Sequence, residues 1–380
     1  MKKCFWIGMC CAAVMMVGCG SSSSSSTTVG SSGWTVVASS GETVSGTDFI
    51  GSDQRNLLAT GGVTQNQISG YYDIQFLSSN SNVGWAVGNL GEVLKTTNGG
   101  SNASLLAFDG SDSILRGVFP MTENKVWIVG RDSVNDGASI FATTDGGTTW
   151  SVQLNTKQEY PNVIGGGERS EYNQDRINSV VFLDENTGFA AGGLGDNSNV
   201  ILKTTDGTNW TSVYRDYTVG TDDELHKIFF VDSTTGYAVG NQGAIVKTTN
   251  GGTSWTVQAS GVTADLLDVI CSSGDRCLTV GDSGTILGTL DGGTTWTSIT
   301  SGTTQDLAAI EGAGDKAWVG GYNGTILYSS NGGTTWTSQT TNTTYPIQDI
   351  YMVSETVGFA VASGNATNTG AVLATISGGQ

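Results

Sequence analysis

The sequence predicts an all-β chain, folded as a ring of seven four-stranded antiparallel sheets. Three observations predict it. A box of the form Thr-x-Asp-Gly-Gly-Thr-Thr-Trp, complete at 289–296, occurs seven times with decay. Between boxes the chain repeats at about 40 residues, each repeat holding three apolar runs broken by Gly-rich turns, the period of a propeller blade. The segment 33–41 mimics 254–261, the strand that follows a box, and so offers the one strand the last repeat lacks. The expected architecture is a seven-bladed β-propeller closed by its N-terminal strand, which completes the last blade.

The box residues have physical reasons. Asp145, Asp206 and Asp291, and Asn98, Asn250 and Asn331, can accept bonds from backbone N–H groups just ahead and fix a turn. Glycines follow because the turn needs backbone angles that a side chain forbids. The Thr hydroxyls add local bonds. Trp opens the next strand as a large packing anchor. The box at 204–210 is one residue short, the box at 96–102 has Ala103 in place of Trp, and the last stops at Gln380. All six Asp and Asn positions read as structural.

The blades follow in order. Strands are expected at 72–76, 84–88 and 93–96 in blade one, and at 115–119, 126–130 and 139–143 in blade two. Blade three takes 177–182, 188–191 and 200–204, and blade four 225–230, 236–240 and 244–248. Blade five takes 266–271, 277–281, 285–289 and 296–299. Blade six takes 307–310, 317–320 and 325–329, and blade seven 347–352, 358–361 and 371–375. Neighbouring apolar residues such as Ala238-Val239 and Ile286-Leu287 suit sheets covered on both faces. Residues 34–37 are expected as the outer strand of blade seven, since its third strand would otherwise be an open edge.

The ends predict export. Lys2 and Lys3 precede an apolar stretch at 4–17, the size of a signal-peptide core and too short to span a membrane. Met16-Val17-Gly18-Cys19 resembles a bacterial lipobox, which implies cleavage after residue 18 and lipidation of Cys19. Residues 19–33 form a Ser/Thr-rich tether, and 34–380 one propeller domain. The expected location is the cell envelope, on the periplasmic side or the surface of the outer membrane, with membrane contact only through the lipid. Cys271 and Cys277 then remain as a pair across a hairpin, and an oxidising compartment favours a disulfide.

Composition excludes several classes. The net charge is −18, and −20 without Lys2 and Lys3, so nucleic acid is repelled. The chain has one His, His226, too few for a Cys/His metal site. It lies beside Lys227 in a strand and reads as a surface residue, so no Ser-His-Asp set is expected. The Gly-Gly pairs sit in hairpins and not before helices, so no phosphate loop is expected. No cofactor is expected, and the chain is expected to act as a monomer. Two long connections, 42–70 and 156–175, interrupt the period and are places where function can sit.

The position three residues before Phe76 and Phe230 starts the inner strand. Around the ring it reads Asp73, Arg116, Ser179, Lys227, Asp268, Ala309 and Asp349. The charged members, Asp73, Arg116, Lys227, Asp268 and Asp349, are the candidate binding rim at one mouth of the channel.

The combined pattern of Asp-(Ile/Val), Gly-(aromatic)-Ala-Val-Gly, Gly-x-Ile-x-x-Thr and Asp-Gly-Gly-x-Thr-Trp, from Trp34 to Gln380, resembles the photosystem II stability/assembly factor family. The resemblance implies a seven-bladed, exported, non-catalytic propeller that binds a protein, and a face of arginines for that partner. Here Arg55, Arg116, Arg131, Arg169, Arg176, Arg215 and Arg276 share no single blade position. The alternative is a carbohydrate-active enzyme or glycan-binding protein, because sialidases also carry the box. Against it, an Arg-Ile-Pro motif is absent and Arg176-Ile177-Asn178 is a poor substitute. A glycosidase also needs two converging carboxylates.

Overall fold

The box turn sets the geometry of every blade. Thr143 Oγ1 donates to Asp145 Oδ1 at 2.8 Å and accepts the Gly147 N–H at 3.0 Å. Asp145 in turn accepts the Thr149 N–H at 2.9 Å and the Thr149 hydroxyl at 2.6 Å. Asp291 repeats this with Thr289 and Thr295, and Asn250 and Asn331 accept the N–H groups of Ser254 and Thr335. In the short box Asp206 accepts from Thr208 and Asn209. The second glycine is required by packing: at Gly252, with φ of +69°, a Cβ would lie 2.2 Å from the Phe189 ring of the preceding blade.

This computed structural model describes residues 33–39, 70–100, 103–108, 113–132, 137–156, 175–195, 198–217, 224–363, 370–375 and 377–379. Cys19, the leader, the tether and the interiors of both long connections lie outside the described residues. The described strands form seven four-stranded antiparallel sheets. Blade one is Tyr71–Leu77, Asn80–Gly88, Val93–Thr96 and Ser104–Leu106. Blade five is Leu266–Cys271, Cys277–Gly281, Thr285–Thr289 and Thr297–Ser298. The inner strands of blades two, three, four and six are Ile114–Pro120, Arg176–Phe182, Leu225–Phe230 and Leu307–Ala313.

Blade seven takes Ile347–Met352, Gly358–Ser363 and Gly370–Thr375 from the end of the chain and Thr35–Ser39 from its start. Thr35 lies opposite Ala374 and Val36 opposite Leu373. The ring is closed as the sequence predicts, because the outer strand covers an edge that would otherwise be exposed.

Seven apolar clusters each bridge two neighbouring blades, the last joining blade seven to blade one through Phe359, Val361, Ile74 and Phe76. Two of them share an aromatic design. Phe189 stacks on Phe230 at 4.5 Å, with Trp255 edge-on to both. Trp127 stacks on Phe182 at 3.6 Å, with Trp210 edge-on. The seam between blades seven and one keeps the stack, Phe76 on Phe359 at 5.4 Å, but Ala103 stands where the edge-on Trp belongs.

Lysines add a polar latch at the same seams. Lys95, Lys203 and Lys247 donate to the first box glycine carbonyl of the next blade, Gly146, Gly251 and Gly292, at 2.9, 2.7 and 2.6 Å. Arg276 does the same to Gly332 at 3.1 Å. Cys271 and Cys277 lie opposite each other in adjacent strands and are joined by a disulfide.

Candidate functional site

All seven inner strands carry a bulge in their first turn of pleat, and the bulge decides which residues reach the channel. Tyr71 pairs with Gly88 and Asp73 with Val87, so Tyr72 is extra. The equivalent extra residues are Arg116, Asn178, His226, Leu267, Ala308 and Gln348. A bulged residue is left out of the ladder and its strand bends. These residues form the upper layer of the channel, at the end where the inner strands begin.

The candidate rim therefore needs two corrections. Arg116 is the bulge residue of blade two, and the true counterpart of Asp73 there is Gly117. Counting back from Phe119 misleads because Phe119 pairs with Trp127, as Gln75 pairs with Trp85, whereas Pro120 takes the place of Phe76. The second correction concerns exposure. Asp73, Asp268 and Asp349 are 8%, 3% and 5% exposed, so they do not form an open rim.

Their partners show why. Asp73 Oδ2 accepts the Val118 N–H at 2.7 Å, Asp268 Oδ2 the Ile310 N–H at 2.8 Å, and Asp349 Oδ2 the Ile74 N–H at 2.9 Å. Ser179 Oγ accepts the Ile228 N–H at 3.3 Å. Each bond runs from one blade to the inner strand of the next, so these side chains tie the ring from within. Burial and the charge of Asp73 push the Asp349 carboxyl well up, and the two hydrogen-bond each other. Burial also raises Asp268, although Lys227 opposes it. Lys227 Nζ stands 3.8 Å from Asp268 Oδ1. Burial alone would lower the Lys227 ammonium, but Asp268, Asp349, Asp73 and Glu311 outweigh it and hold it above the usual lysine range.

The upper mouth is where charge reaches a surface. Arg176 Nη1 lies 3.3 Å from Glu224 Oε1, and Asn178 Nδ2 is 3.3 Å from Glu224 Oε2. His226 Nδ1 is 3.8 Å from the same carboxylate, and its Nε2 meets Asn241 Oδ1. Burial works against the Glu224 charge, yet His226, Arg176 and Arg116 hold its carboxyl below the usual range. Arg116 packs over the Tyr72 ring at 5.3 Å, and burial lowers its guanidinium. Arg131 pairs with Ile114 at the start of blade two, and Arg215 sits opposite Val200 in blade three with Nε on Ser198 Oγ at 3.0 Å.

Four arginines, Arg116, Arg131, Arg176 and Arg215, thus gather at the upper ends of blades two and three. Arg276 is at the opposite end, and Arg55 and Arg169 lie outside the described residues. The sequence does not signal this gathering, since the four occupy four different positions in the blade repeat. Across the mouth, Asp265, Asp282 and Asp306 belong to the turns of blades five and six. Burial raises Asp282, and Asp306 and Asp265 raise it further. Among the described residues no group of His, Cys, Asp and Glu could hold a metal ion.

The fold and its channel define a seven-bladed propeller of the Asp-box type with a polarised mouth. Residues 252–380 match the family model of the photosynthesis system II assembly factor YCF48, and through them the chain resembles that family. Its fold is similar to that of YCF48 bound to a D1 peptide, with TM-score 0.60, 17% identity, and 82% of this chain and 94% of that one covered. It is similar to YCF48 from Cyanidioschyzon merolae, with TM-score 0.62, 18% identity, and 82% and 97% covered. It is also similar in fold to a GH74 xyloglucanase from Xanthomonas campestris, with TM-score 0.57, 11% identity, and 82% of this chain but 52% of that one covered. No curated protein matches its sequence.

Proposed function

We propose that this protein is a non-catalytic binding propeller of the YCF48 kind, which docks a segment of a partner protein at the upper mouth of its channel. The observation that carries the reading is the gathering of Arg116, Arg131, Arg176 and Arg215 on two adjacent blades of a chain whose net charge is −18. An arginine fork pairs with carboxylates in a fixed geometry, so the surface suits a segment rich in Asp or Glu or ending in a free carboxylate. The YCF48 solved with a D1 peptide supports a protein partner for propellers of this kind.

The carboxylates speak against the carbohydrate-active alternative. Asp73 and Asp349 are paired, but both are bound to backbone amides of the next blade and buried. They hold neighbouring blades together, a structural role, and are not an open pair facing a substrate. Cys19 as a lipid-bearing residue places the propeller on a tether at a membrane of the cell envelope. That part of the reading rests on the lipobox-like sequence alone.

The test is fluorescence anisotropy with a labelled acidic peptide and its Asn/Gln counterpart. The acidic peptide is expected to bind in low salt and to weaken at least tenfold in the double variant Arg176→Glu, Arg215→Glu. Equal binding of the neutral peptide sinks the reading, as does hydrolysis of a sialoside or xyloglucan oligosaccharide by the purified protein. For the anchor, Cys19→Ser is expected to move the protein from the membrane to the soluble fraction.

A further inference from the structure

The lower end of the channel differs from the upper. Two residues past each inner-strand anchor, the ring reads Gln75, Phe119, Val181, Phe229, Ile270, Glu311 and Tyr351. Glu311 is the one ionisable carboxyl in this apolar and aromatic layer. It opens onto a pocket of about 300 Å³ between blades four, five and six. Phe229, Ile270 and Leu278 give the pocket apolar walls, and Glu311 is its enclosed polar group. Apolar walls with a few placed polar groups are the usual make-up of a small-ligand site, and this volume lies at the lower end of the usual range. Ser272, Arg276, Asp315 and Lys316 line the same pocket.

The charges around Glu311 choose the ligand. Above it lie Asp268 and the hydrogen-bonded Asp349 and Asp73, with Lys227 as the nearby cation. The Tyr351 hydroxyl, from blade seven, feels the same carboxyl and is raised by burial and by Glu311. At the pocket's outer side Arg276 is bonded to the Gly332 carbonyl and Lys316 to Glu355 Oε2 at 2.6 Å, with Asp315 beside them. The inner end is thus short of positive charge, and the two rim cations are already engaged.

We propose that this pocket is a binding site for an alkylammonium group, a primary amine on an apolar stem, with the Glu311 carboxylate as its counter-ion. The stem lies on Phe229, Ile270 and Leu278 while the ammonium meets the carboxylate, as long cationic side chains do when they bury their methylenes. A free alkylamine and a lysine side chain of a partner segment share this chemistry. Burial, and then the charge of Asp268, push the Glu311 carboxyl up to about 8. Near neutral pH the empty site is therefore protonated, and an arriving cation favours the ionised form. The proton leaves Glu311 for solvent as the ion pair forms.

The test is isothermal titration calorimetry at pH 7 with hexylamine and with N-acetyl-lysinamide, each run in two buffers of different ionisation enthalpy. Hexanol and hexanoate are the controls. The expected result is saturable binding of an amine with release of close to one proton, lost at least tenfold in Glu311→Gln. The better of the two amines identifies the source. Near-UV circular dichroism checks that the variant keeps its fold. Equal binding of hexanol, preferred binding of hexanoate, unchanged amine binding by folded Glu311→Gln, or no amine binding at all overturns the site. Because the pocket is at the opposite end from Arg116, Arg131, Arg176 and Arg215, this outcome is independent of the acidic-peptide test.

Discussion

Trp34 Nε1 donates to Gln339 Oε1 at 2.8 Å, across 305 positions of the chain. Gln339 also donates to the Gly378 carbonyl at 2.9 Å, and Trp318 Nε1 reaches that carbonyl at 2.8 Å. The Trp34 N–H bonds to the Thr340 carbonyl at 2.8 Å. One glutamine thus joins the first strand, the sixth blade and the last box.

Removing that glutamine tests the closure. Gln339→Ala leaves the buried indole N–H of Trp34 without its acceptor, which costs about 1–3 kcal/mol. Deleting residues 34–38 removes both the outer strand and its Trp anchor, and is expected to cost far more than the single change. Chemical denaturation of the three proteins measures both. Equal stability of the deletion and the full chain would show that the ring does not need this strand.

The Ala103 site tests the packing rule. Phe76, Phe359, Leu94 and Val372 line a small, wholly apolar void beside Ala103. In the matching seam Trp255 fills that place against Phe189 and Phe230. Ala103→Trp is expected to stabilise the protein by about 1 kcal/mol, the scale of an aromatic pair beyond its area. A thermal melt checks it, and a fall in the midpoint would mean that the seam has closed around alanine.

Acid should loosen the Asp boxes before the Asn boxes. Hydrogen bonds from Thr149, then from Thr143, hold the Asp145 carboxyl down at about 2. Bonds from Asn209 lower Asp206, and bonds from Thr295 lower Asp291. A carboxyl lowered in the folded state adds stability that is present above its ordinary value of about 4 and disappears as pH falls through the folded value. Stability is therefore expected to decline between about pH 4 and pH 2. Replacing Asp145, Asp206 and Asp291 by Asn, the residue already present at positions 98, 250 and 331, should flatten that decline. An unchanged acid profile in urea titrations would remove these turns from the account.

The disulfide closes a short loop, with a sequence separation of 6. On the chain-entropy argument its loss costs about 2 kcal/mol. The double variant Cys271→Ser, Cys277→Ser should lower the melting midpoint and leave acidic-peptide binding intact, since the bridge is at the lower end of blade five. Loss of peptide binding in the folded variant would contradict the assignment of that site to the upper mouth.

Much of this molecule was set by the amino-acid sequence alone. Seven boxes, seven inner strands and the copied segment at 33–41 fix the number of blades and the way they close. Each of those features is local: a turn needs its Asp or Asn and its glycines, and a strand needs its apolar run, whatever lies elsewhere. Only the tertiary structure decided what the channel contains. A bulge of one residue sent Arg116 to the upper mouth and left Asp73, Asp268 and Asp349 bonded to the next blade. The packing of blade on blade gathered four arginines from different strand positions, and the ring placed Glu311 as the one carboxyl of its layer. These outcomes depend on register and on which blade is the neighbour, and a ring brings together residues that no local pattern connects.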